Sequence, residues 1–206
     1  MEIRAGQTQQ VAVRNTEGRY QVLAGDKYTG AMPAIDISHF MVHASRLFTA
    51  PDIDTDVDIA SPKEWLFVTP DNDDLEVHMD FVAHVSGGAQ VELFEAPTVS
   101  DMGSQLDSYN HHRTSEYTSE VNVYADPTVT GDGTRIDVTA AGSSGGPVSF
   151  ARDVGRGAEW DLKPNTMYLL RVTVRADNQT VSLAANWYEF DENDDVWAEP
   201  SSSSSA

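Results

Sequence analysis

The sequence predicts an all-β fold, a jelly-roll-like β-sandwich with an extended N-terminal arm, and three observations support this prediction. First, apolar residues recur at every second position in many short segments, which places them on one face of a strand. Second, polar turns rich in glycine, proline, asparagine or aspartate separate these segments. Third, we find no convincing apolar stripe at helical spacing. Many short strands joined by turns are typical of a sandwich or a barrel.

The arm comes first, because residues 1–35 are polar and glycine-rich and offer little beyond a strand candidate at Gln10–Arg14. The sandwich is expected over residues 36–198. Its clearest strand is Leu75–Val85, where apolar residues alternate with charged residues and histidines. Residues 199–206 form a Ser-rich tail of low complexity. The remaining strand candidates are Phe40–Leu47, Trp65–Thr69, Ala89–Phe94, Ser119–Tyr124, Arg135–Ala140, Pro147–Phe150, Tyr168–Arg175 and Val181–Tyr188.

Two further features concern the turns. The polar segment Ala176–Gln179 between the last two strand candidates predicts a hairpin. Pro97–Leu106 and Pro127–Ile136 repeat one pattern, Pro-Thr-Val followed by a turn and an apolar position, with an offset of 30 residues. Each copy is expected to end a strand, turn at Gly103 or Gly133, and begin a new strand.

The charge balance is strongly acidic: the 206 residues include 33 Asp and Glu but 13 Lys and Arg, for a net charge of −20. Only three of the cations are lysines, and this surface composition indicates a protein adapted to molar salt, where screening over about 3 Å suppresses self-repulsion. Binding to nucleic acid or to an anionic membrane is disfavoured. Cysteine is absent from the sequence, which excludes disulfides and thiolate chemistry. We see no apolar signal segment or membrane-spanning run, and expect a soluble protein.

The segment Gly142–Pro147 resembles the glycine-rich sequence around the nucleophile of trypsin-like serine proteases, and would make Ser144 the nucleophile. A serine needs a base and a group that orients the base. The upstream histidines lack that family's local context, and the chain after Ser144 starts a strand rather than the helix of an α/β-hydrolase. We therefore predict that Ser144 is not catalytic and that the protein is not an enzyme. Those histidines are His78, His84, His111 and His112.

Other candidate ligands also favour structural interpretations. Asp52, Asp54, Asp56 and Asp58 recur at period two, about 6.6 Å apart on one strand face, which is too far for all four to surround one ion. We expect a solvated strand face, with a Ca²⁺ or K⁺ site as the open alternative. The histidine spacings do not suit zinc, so no metal or cofactor is expected. Asn178 begins a glycosylation sequon in a turn.

Several blocks, taken in their order and spacing, resemble small virion proteins encoded with the head genes of tailed double-stranded DNA viruses. The blocks are His43–Phe48, Val91–Ser115, Tyr124–Ile136, Arg156–Val174 and Asn186–Phe190. The resemblance implies a non-catalytic protein on the capsid surface, either a cement protein or a head fibre, with the major capsid protein and copies of itself as partners. A trimer is expected. The acidic bias points to a virus of a haloarchaeon.

Two alternatives remain open. One is a receptor- or glycan-binding module of a tail fibre, which exposed loop aromatics would support. The residues considered for that role are Tyr109, Tyr117, Trp187 and Trp197. The more remote alternative is a serine protease that uses Ser144.

Overall fold

A computed structural model describes residues 11–14, 20–23, 37–141, 148–150 and 159–191 of the chain. This part contains the helix α1 (Ile37–His43) and seventeen strands. The strands are β1 (Val11–Arg14), β2 (Tyr20–Leu23), β3 (Leu47–Val57), β4 (Lys63–Val68), β5 (Leu75–Asp80), β6 (Ala83–Val85), β7 (Ala89–Glu95), β8 (Thr98–Asp101), β9 (Ser104–Gln105), β10 (Tyr109–Asn110), β11 (Asn122–Ala125), β12 (Thr128–Gly131), β13 (Thr134–Ala141), β14 (Val148–Phe150), β15 (Trp160–Leu162), β16 (Met167–Val174) and β17 (Gln179–Asp191).

Two antiparallel sheets share one core. The first has the strand order β10-β3-β17-β5-β15, with β6 paired to β17 and β14 paired to β6. The second has the order β13-β7-β16-β4-β11-β9. Eight of these strands form a jelly roll, four in each sheet. When they are numbered one to eight along the chain, their order is 1-8-3-6 in the first sheet and 5-4-7-2 in the second, which is the jelly-roll arrangement. The eight strands are β3, β4, β5, β7, β13, β15, β16 and β17. The predicted all-β, jelly-roll-like sandwich is confirmed, while most of the predicted arm lies outside the described residues.

The main core lies between the two sheets and receives the inward-facing residues of both. Its largest fully buried side chains include Trp65 and Tyr168 from the second sheet and Trp187 and Phe48 from the first. Trp187 stacks on Phe48 with 6.1 Å between ring centroids. Each such side chain contributes about 1.5–3 kcal/mol by leaving water. The residues that the sequence pattern predicts to be buried therefore face this core, and the residues between them lie on the outer faces of the sheets.

The internal repeat forms a local two-fold arrangement on the second sheet. β8 of the first copy pairs with β12 of the second. The pairs Ala125–Ser104 and Glu95–Thr134 are equivalent under the 30-residue offset. Gly103 and Gly133 both have left-handed φ, 85° and 78°. A Cβ on Gly103 would lie 2.1 Å from the Ala125 carbonyl oxygen, and one on Gly133 would lie 2.3 Å from the Glu95 carbonyl oxygen. Each copy thus packs its glycine against the strand end of the other, and the predicted turns are observed.

The paired strands β8 and β12, called here the ribbon, cover a second, smaller core on the outer face of the second sheet. Leu66, Phe94 and Leu169 are buried there, and Val99 of β8 and Val129 of β12 pack against them. Leu66 and Leu169 are directly opposite each other in the β4–β16 pair. The second sheet is therefore buried on both faces at this point, which explains why β4 is buried at three consecutive positions, residues 65–67.

A short helix replaces part of the strand predicted at Phe40–Leu47. α1 ends at His43, and Ser45 adopts a left-handed φ of 62°. The Ser45 amide donates to the Val42 carbonyl (3.0 Å), and the Arg46 amide donates to the Met41 carbonyl (2.8 Å). This is a Schellman motif, and it turns the chain directly into β3. Two helical turns are too short to show an apolar stripe, which is why the alternating pattern was misread.

Two predicted connections are also wrong in detail. Leu75–Val85 is not one strand, because it is interrupted at residues 81–82 between β5 and β6. Ala176–Gln179 is not a hairpin turn, because β16 and β17 belong to facing sheets. This loop is held instead by reciprocal bonds to the β3–β4 loop: Asp58 accepts from the Asn178 amide (3.0 Å), and Asp177 accepts from the Ile59 amide (3.0 Å). Period two identifies a strand but does not say which sheet it joins.

The chain divides into two compact units, residues 1–40 and residues 41–206. In the first unit β1 and β2 form an antiparallel pair with Val11 opposite Leu23. The predicted boundary after residue 35 and the Ser-rich tail at 199–206 lie outside the described residues.

Candidate functional site

A polar groove of about 390 Å³ lies where the β9–β10 link faces the chain leading into β11. Its walls carry two amides, a carboxylate and three hydroxyls. The lining residues are Gln105, Leu106, Asp107, Ser108, Thr118, Ser119, Val121 and Asn122. Gln105 Nε2 donates to Asn122 Oδ1 at 2.9 Å, and both residues line the groove. The Leu106 amide donates to the Val123 carbonyl (2.8 Å). Both walls are therefore anchored to β11.

A buried carboxylate holds one wall. Glu189 of β17 is 1% exposed. Its Oε1 accepts from Ser119 Oγ (2.6 Å) and from the amides of Glu120 (3.1 Å) and Val121 (3.2 Å). The same oxygen accepts from Trp187 Nε1 at 3.0 Å. A buried carboxylate with this many donors is satisfied in place, and it fixes the chain at the groove wall to the sandwich.

A buried amide holds the opposite segment. Asn110 Nδ2 donates to the Ser45 carbonyl (2.8 Å), and its Oδ1 accepts from the His112 amide (2.8 Å). Ser45 Oγ and His112 Nδ1 share a hydrogen bond of 2.7 Å. The Glu189 amide donates to the Arg46 carbonyl at 3.1 Å. The α1–β3 turn, the loop that carries the groove and β17 thus form one connected network.

Two tyrosines stand beside the groove. Tyr109 is 41% exposed and Tyr117 is 52% exposed. The Tyr109 hydroxyl donates to Asp107 Oδ2 at 3.4 Å, and the Arg113 guanidinium lies 5.4 Å from the Tyr109 ring centroid. Arg46 lies 4.1 Å from the Tyr117 ring centroid and donates to its hydroxyl (3.0 Å). Each ring is thereby oriented by an arginine.

The aromatics predicted for a binding role therefore divide. Tyr109 and Tyr117 are exposed, as that hypothesis requires, whereas Trp187 is 1% exposed. The expectation for Trp187 is wrong, because alternation along β17 directs its ring into the core. Trp197 lies outside the described residues.

The aspartate row on β3 is organised around a lysine. Lys63 is 5% exposed, and its Nζ lies 2.9 Å from Asp126, 3.3 Å from Asp52 and 3.8 Å from Asp54. Asp52 also accepts from Trp65 Nε1 at 2.8 Å. Asp56 and Asp58 are exposed. Within the described residues, no group of three or more His, Asp or Glu could hold a metal ion.

The titration of Lys63 reflects this setting. Burial lowers the pKa of Lys63, but the hydrogen bond to Asp126 and the charges of Asp52 and Asp126 outweigh burial, so its pKa is raised above 10.5. The ammonium occupies the position that a cation would take among these carboxylates. The prediction of a solvated strand face therefore holds for Asp56 and Asp58, which are exposed. It does not hold for Asp52 and Asp54, which pair with the buried ammonium of Lys63.

The histidines lie in separate places. His78 Nδ1 is 2.7 Å from Glu159, and its ring stacks on Tyr188 with 4.7 Å between centroids. His84 lies on β6 opposite Ser182. His112 belongs to the groove network described above, and His111 is exposed on the same loop. Ser144 lies in 142–147, outside the described residues, so the prediction that it is not catalytic stays a prediction.

Asn178 is exposed, with a left-handed φ of 57°. Its backbone amide is bonded to Asp58.

The groove residues were missed by sequence reasoning. A usable signal exists, because the fourteen residues from Asp107 to Glu120 include no aliphatic side chain while two tyrosines interrupt them. Such a segment cannot bury itself and must be held by other elements. Which elements hold it, through Glu189 and Asn110, is visible only in the folded chain.

Fold and site together define a jelly-roll β-sandwich with a second core under its ribbon and a polar groove beside two exposed tyrosines. Comparison with protein families, with curated proteins and with solved structures finds no match. Among the described residues, no helix is long and apolar enough to cross a membrane.

Proposed function

We propose that this protein is a structural, non-catalytic component of the virion of a tailed double-stranded DNA virus, located on the capsid exterior. It contacts the major capsid protein and assembles with its own copies, as a trimer. The observation that carries the proposal is the jelly-roll strand order, because this architecture recurs in viral capsid proteins. Since one fold hosts several functions, the proposal also depends on where the resembling sequence blocks lie in the fold.

The blocks that resemble virion proteins meet at two places in the structure. His43–Phe48, the end of Val91–Ser115 and Asn186–Phe190 supply most of the network around Asn110 and Glu189. The first part of Val91–Ser115 and Tyr124–Ile136 build the ribbon and its glycine contacts. Blocks that are distant in sequence therefore support common structural units, which favours a shared fold over a chance likeness.

The construction suits a mechanical role. Arg171 of β16 donates to Asp132 at 2.8 Å and also binds Glu64 of β4. Arg135 donates to Glu92 at 2.8 Å. These ion pairs join neighbouring strands on the outer face of the second sheet, next to the ribbon. A sandwich braced in this way keeps its shape while many weak contacts to a symmetric shell add up through multivalency.

The net charge of −20 supports a source with high internal salt. At about 1 M salt the screening length is about 3 Å, so acidic copies pack side by side with little repulsion. An acidic surface also offers few Lys or Arg contacts to phosphate, which favours a position outside the shell over one against the packaged genome.

The direct test is to locate the protein in particles purified from an infected culture of the host. We expect it in intact virions at a fixed ratio to the major capsid protein, with trimers of the sandwich visible on the outer surface of a density map. Empty heads purified without tails are the control, and they should contain the same ratio. A protein absent from purified particles, or present only in the tail fraction, contradicts the proposal.

A second test concerns attachment to the capsid, which we assign to the N-terminal arm, residues 1–35, together with one end of the sandwich. Deleting residues 1–30 should leave a soluble β protein, because the sandwich carries its own core. This truncated protein should bind particles poorly, because it lacks most of the arm. Full decoration by the truncated protein contradicts the role assigned to the arm, and a monomeric full-length protein contradicts the trimer.

A further inference from the structure

We propose that the polar groove is a binding site for a short neutral saccharide, with Tyr109 as the stacking surface at its rim. This inference rests on the groove and not on the proposed virion role. The groove volume of about 390 Å³ lies at the small end of the range for ligand sites, which suits a short saccharide better than an extended polymer.

The chemistry of the walls matches that of a sugar. A saccharide presents hydroxyls around its edge, each both a donor and an acceptor, and C–H groups on its ring faces. Gln105 and Asn122 offer amide donors and acceptors, Ser108 and Thr118 offer hydroxyls, and Asp107 offers acceptors only. Apolar ligands find little to contact here, because the lining is predominantly polar.

The exposed ring beside the groove provides the second half of the recognition. Tyr109 is 41% exposed, and its hydroxyl is bonded to Asp107, a wall residue. An amphipathic ring in this position covers a C–H face while its polar tip stays in the hydrogen-bond network. Arg113 lies against the same ring and limits its orientations, so stacking loses little side-chain entropy.

The groove is formed before any ligand arrives. Glu189 fixes the wall at Ser119–Val121 from a position 1% exposed to solvent. Asn110 fixes the opposite segment through the Ser45 carbonyl, and Gln105 donates a hydrogen bond to Asn122. Walls held by buried partners do not have to be ordered on binding, which is the usual requirement for weak polar ligands to bind specifically.

Charge selects among saccharides. Asp107 lines the groove. The carboxylate or sulfate of an anionic sugar in the groove would lie in contact with the Asp107 carboxylate, where repulsion persists even when salt shortens the screening length to about 3 Å. The ligand class is therefore an uncharged hexose or N-acetylhexosamine rather than a sialic or uronic acid.

The test is a titration of the ¹⁵N-labelled full-length protein, followed through its backbone amide resonances. The neutral probes are the methyl glycosides of glucose, galactose, mannose and N-acetylglucosamine. Methyl glucuronide, which carries a carboxylate in place of the CH₂OH group of methyl glucoside, is the anionic probe. At least one neutral probe should shift amides confined to residues 105–109 and 117–122. Methyl glucuronide should bind about tenfold more weakly or not at all.

Variants separate the two parts of the site. Asp107→Asn and Tyr109→Ala should each weaken binding about tenfold, whereas Tyr109→Phe should retain most of it because the ring remains. Ile53→Ala, which changes an exposed apolar residue on β3, is the matched control and should bind like the wild type. Tyr109→Phe and Asp107→Asn keep the proposal testable if Tyr109→Ala fails to fold.

Three results would overturn the proposal: no shift with any neutral probe, shifts outside the two loops, or wild-type affinity in both Asp107→Asn and Tyr109→Ala. Equal affinity for methyl glucuronide would overturn the charge selection. Because the titration uses the isolated protein, a negative result leaves the virion proposal intact, and absence from virions leaves the groove proposal intact.

Discussion

Gly103→Ala and Gly133→Ala should destabilise the protein by similar amounts, because the local two-fold arrangement gives the two glycines equivalent surroundings. Both positions have left-handed φ, which costs an L-residue about 1–2 kcal/mol. The added Cβ would lie 2.1 Å from the Ala125 oxygen in one case and 2.3 Å from the Glu95 oxygen in the other. Each is a contact with backbone that must move, and overpacking of this kind typically costs about 1–3 kcal/mol.

The two contributions together lower the free energy of unfolding by about 2–5 kcal/mol per substitution. For a domain of this size this corresponds to a melting temperature lower by about 5–20 °C. Chemical denaturation in high salt, followed by circular dichroism and tryptophan fluorescence, measures the free energy, and calorimetry gives the melting temperature.

Gly131→Ala is the matched control within the ribbon. The nearest atom to its added Cβ is Thr98 Oγ1 at 2.7 Å, the end of a side chain that rotates away. We expect a change within about 1 kcal/mol of the wild type. Wild-type stability in Gly103→Ala would refute the described contact between Gly103 and the Ala125 carbonyl. A difference of more than about 2 kcal/mol between Gly103→Ala and Gly133→Ala would refute the equivalence of the two copies.

Four further predictions concern Glu189, two buried titratable groups, the salt dependence and Ser144. Glu189→Gln should lower the free energy of unfolding by about 1–3 kcal/mol, since it weakens charge-assisted hydrogen bonds. Glu116→Gln on the exposed loop is the control and should leave the free energy of unfolding unchanged. Equal effects would contradict the role of Glu189 in holding the groove wall. Lys63 has a pKa raised above its unfolded value of 10.5, and burial, followed by the charge of Glu95, raises the pKa of Tyr168 from 10.0 to about 12. Stability linked to both groups is therefore fully present below about pH 10 and lost as the pH rises toward 12; denaturation curves that stay flat across this window contradict the prediction. Lowering salt from about 1 M to about 0.1 M lengthens screening from about 3 Å to about 10 Å, so melting temperature or oligomer mass should fall, and unchanged values contradict salt adaptation. A fluorophosphonate probe should leave Ser144 unlabelled, and stoichiometric labelling would show a reactive serine.

Period two in the sequence was enough to predict the fold class and most strands, because burial on one face leaves a direct record in alternate residues. β7, β13, β16 and β17 all lie where the alternation places them. The repeat predicted the turns at Gly103 and Gly133, because a left-handed backbone leaves a glycine as its mark. The short helix left no such record, since seven residues span only two turns.

The groove was missed for a different reason: the sequence marks residues 107–120 as a segment without aliphatic side chains but does not show what holds it. Its polar wall residues look like any hydrophilic loop, and their value depends on partners 68 to 70 residues away, such as Glu189 at Ser119–Val121. Hydrogen-bond partners across a sandwich are set by strand order, which no local pattern encodes.

The sequence by itself determined what each segment is: a strand with one buried face, a turn that needs glycine, or an acidic polar stretch. Only the tertiary structure decided what each segment meets. It placed Lys63 among Asp52, Asp54 and Asp126, turned Trp187 into the core, and laid the two repeat copies against each other. The physical reason is that alternation and turn residues reflect the local preferences of short segments. Strand order and the contacts between sheets depend on the free energy of the whole folded chain.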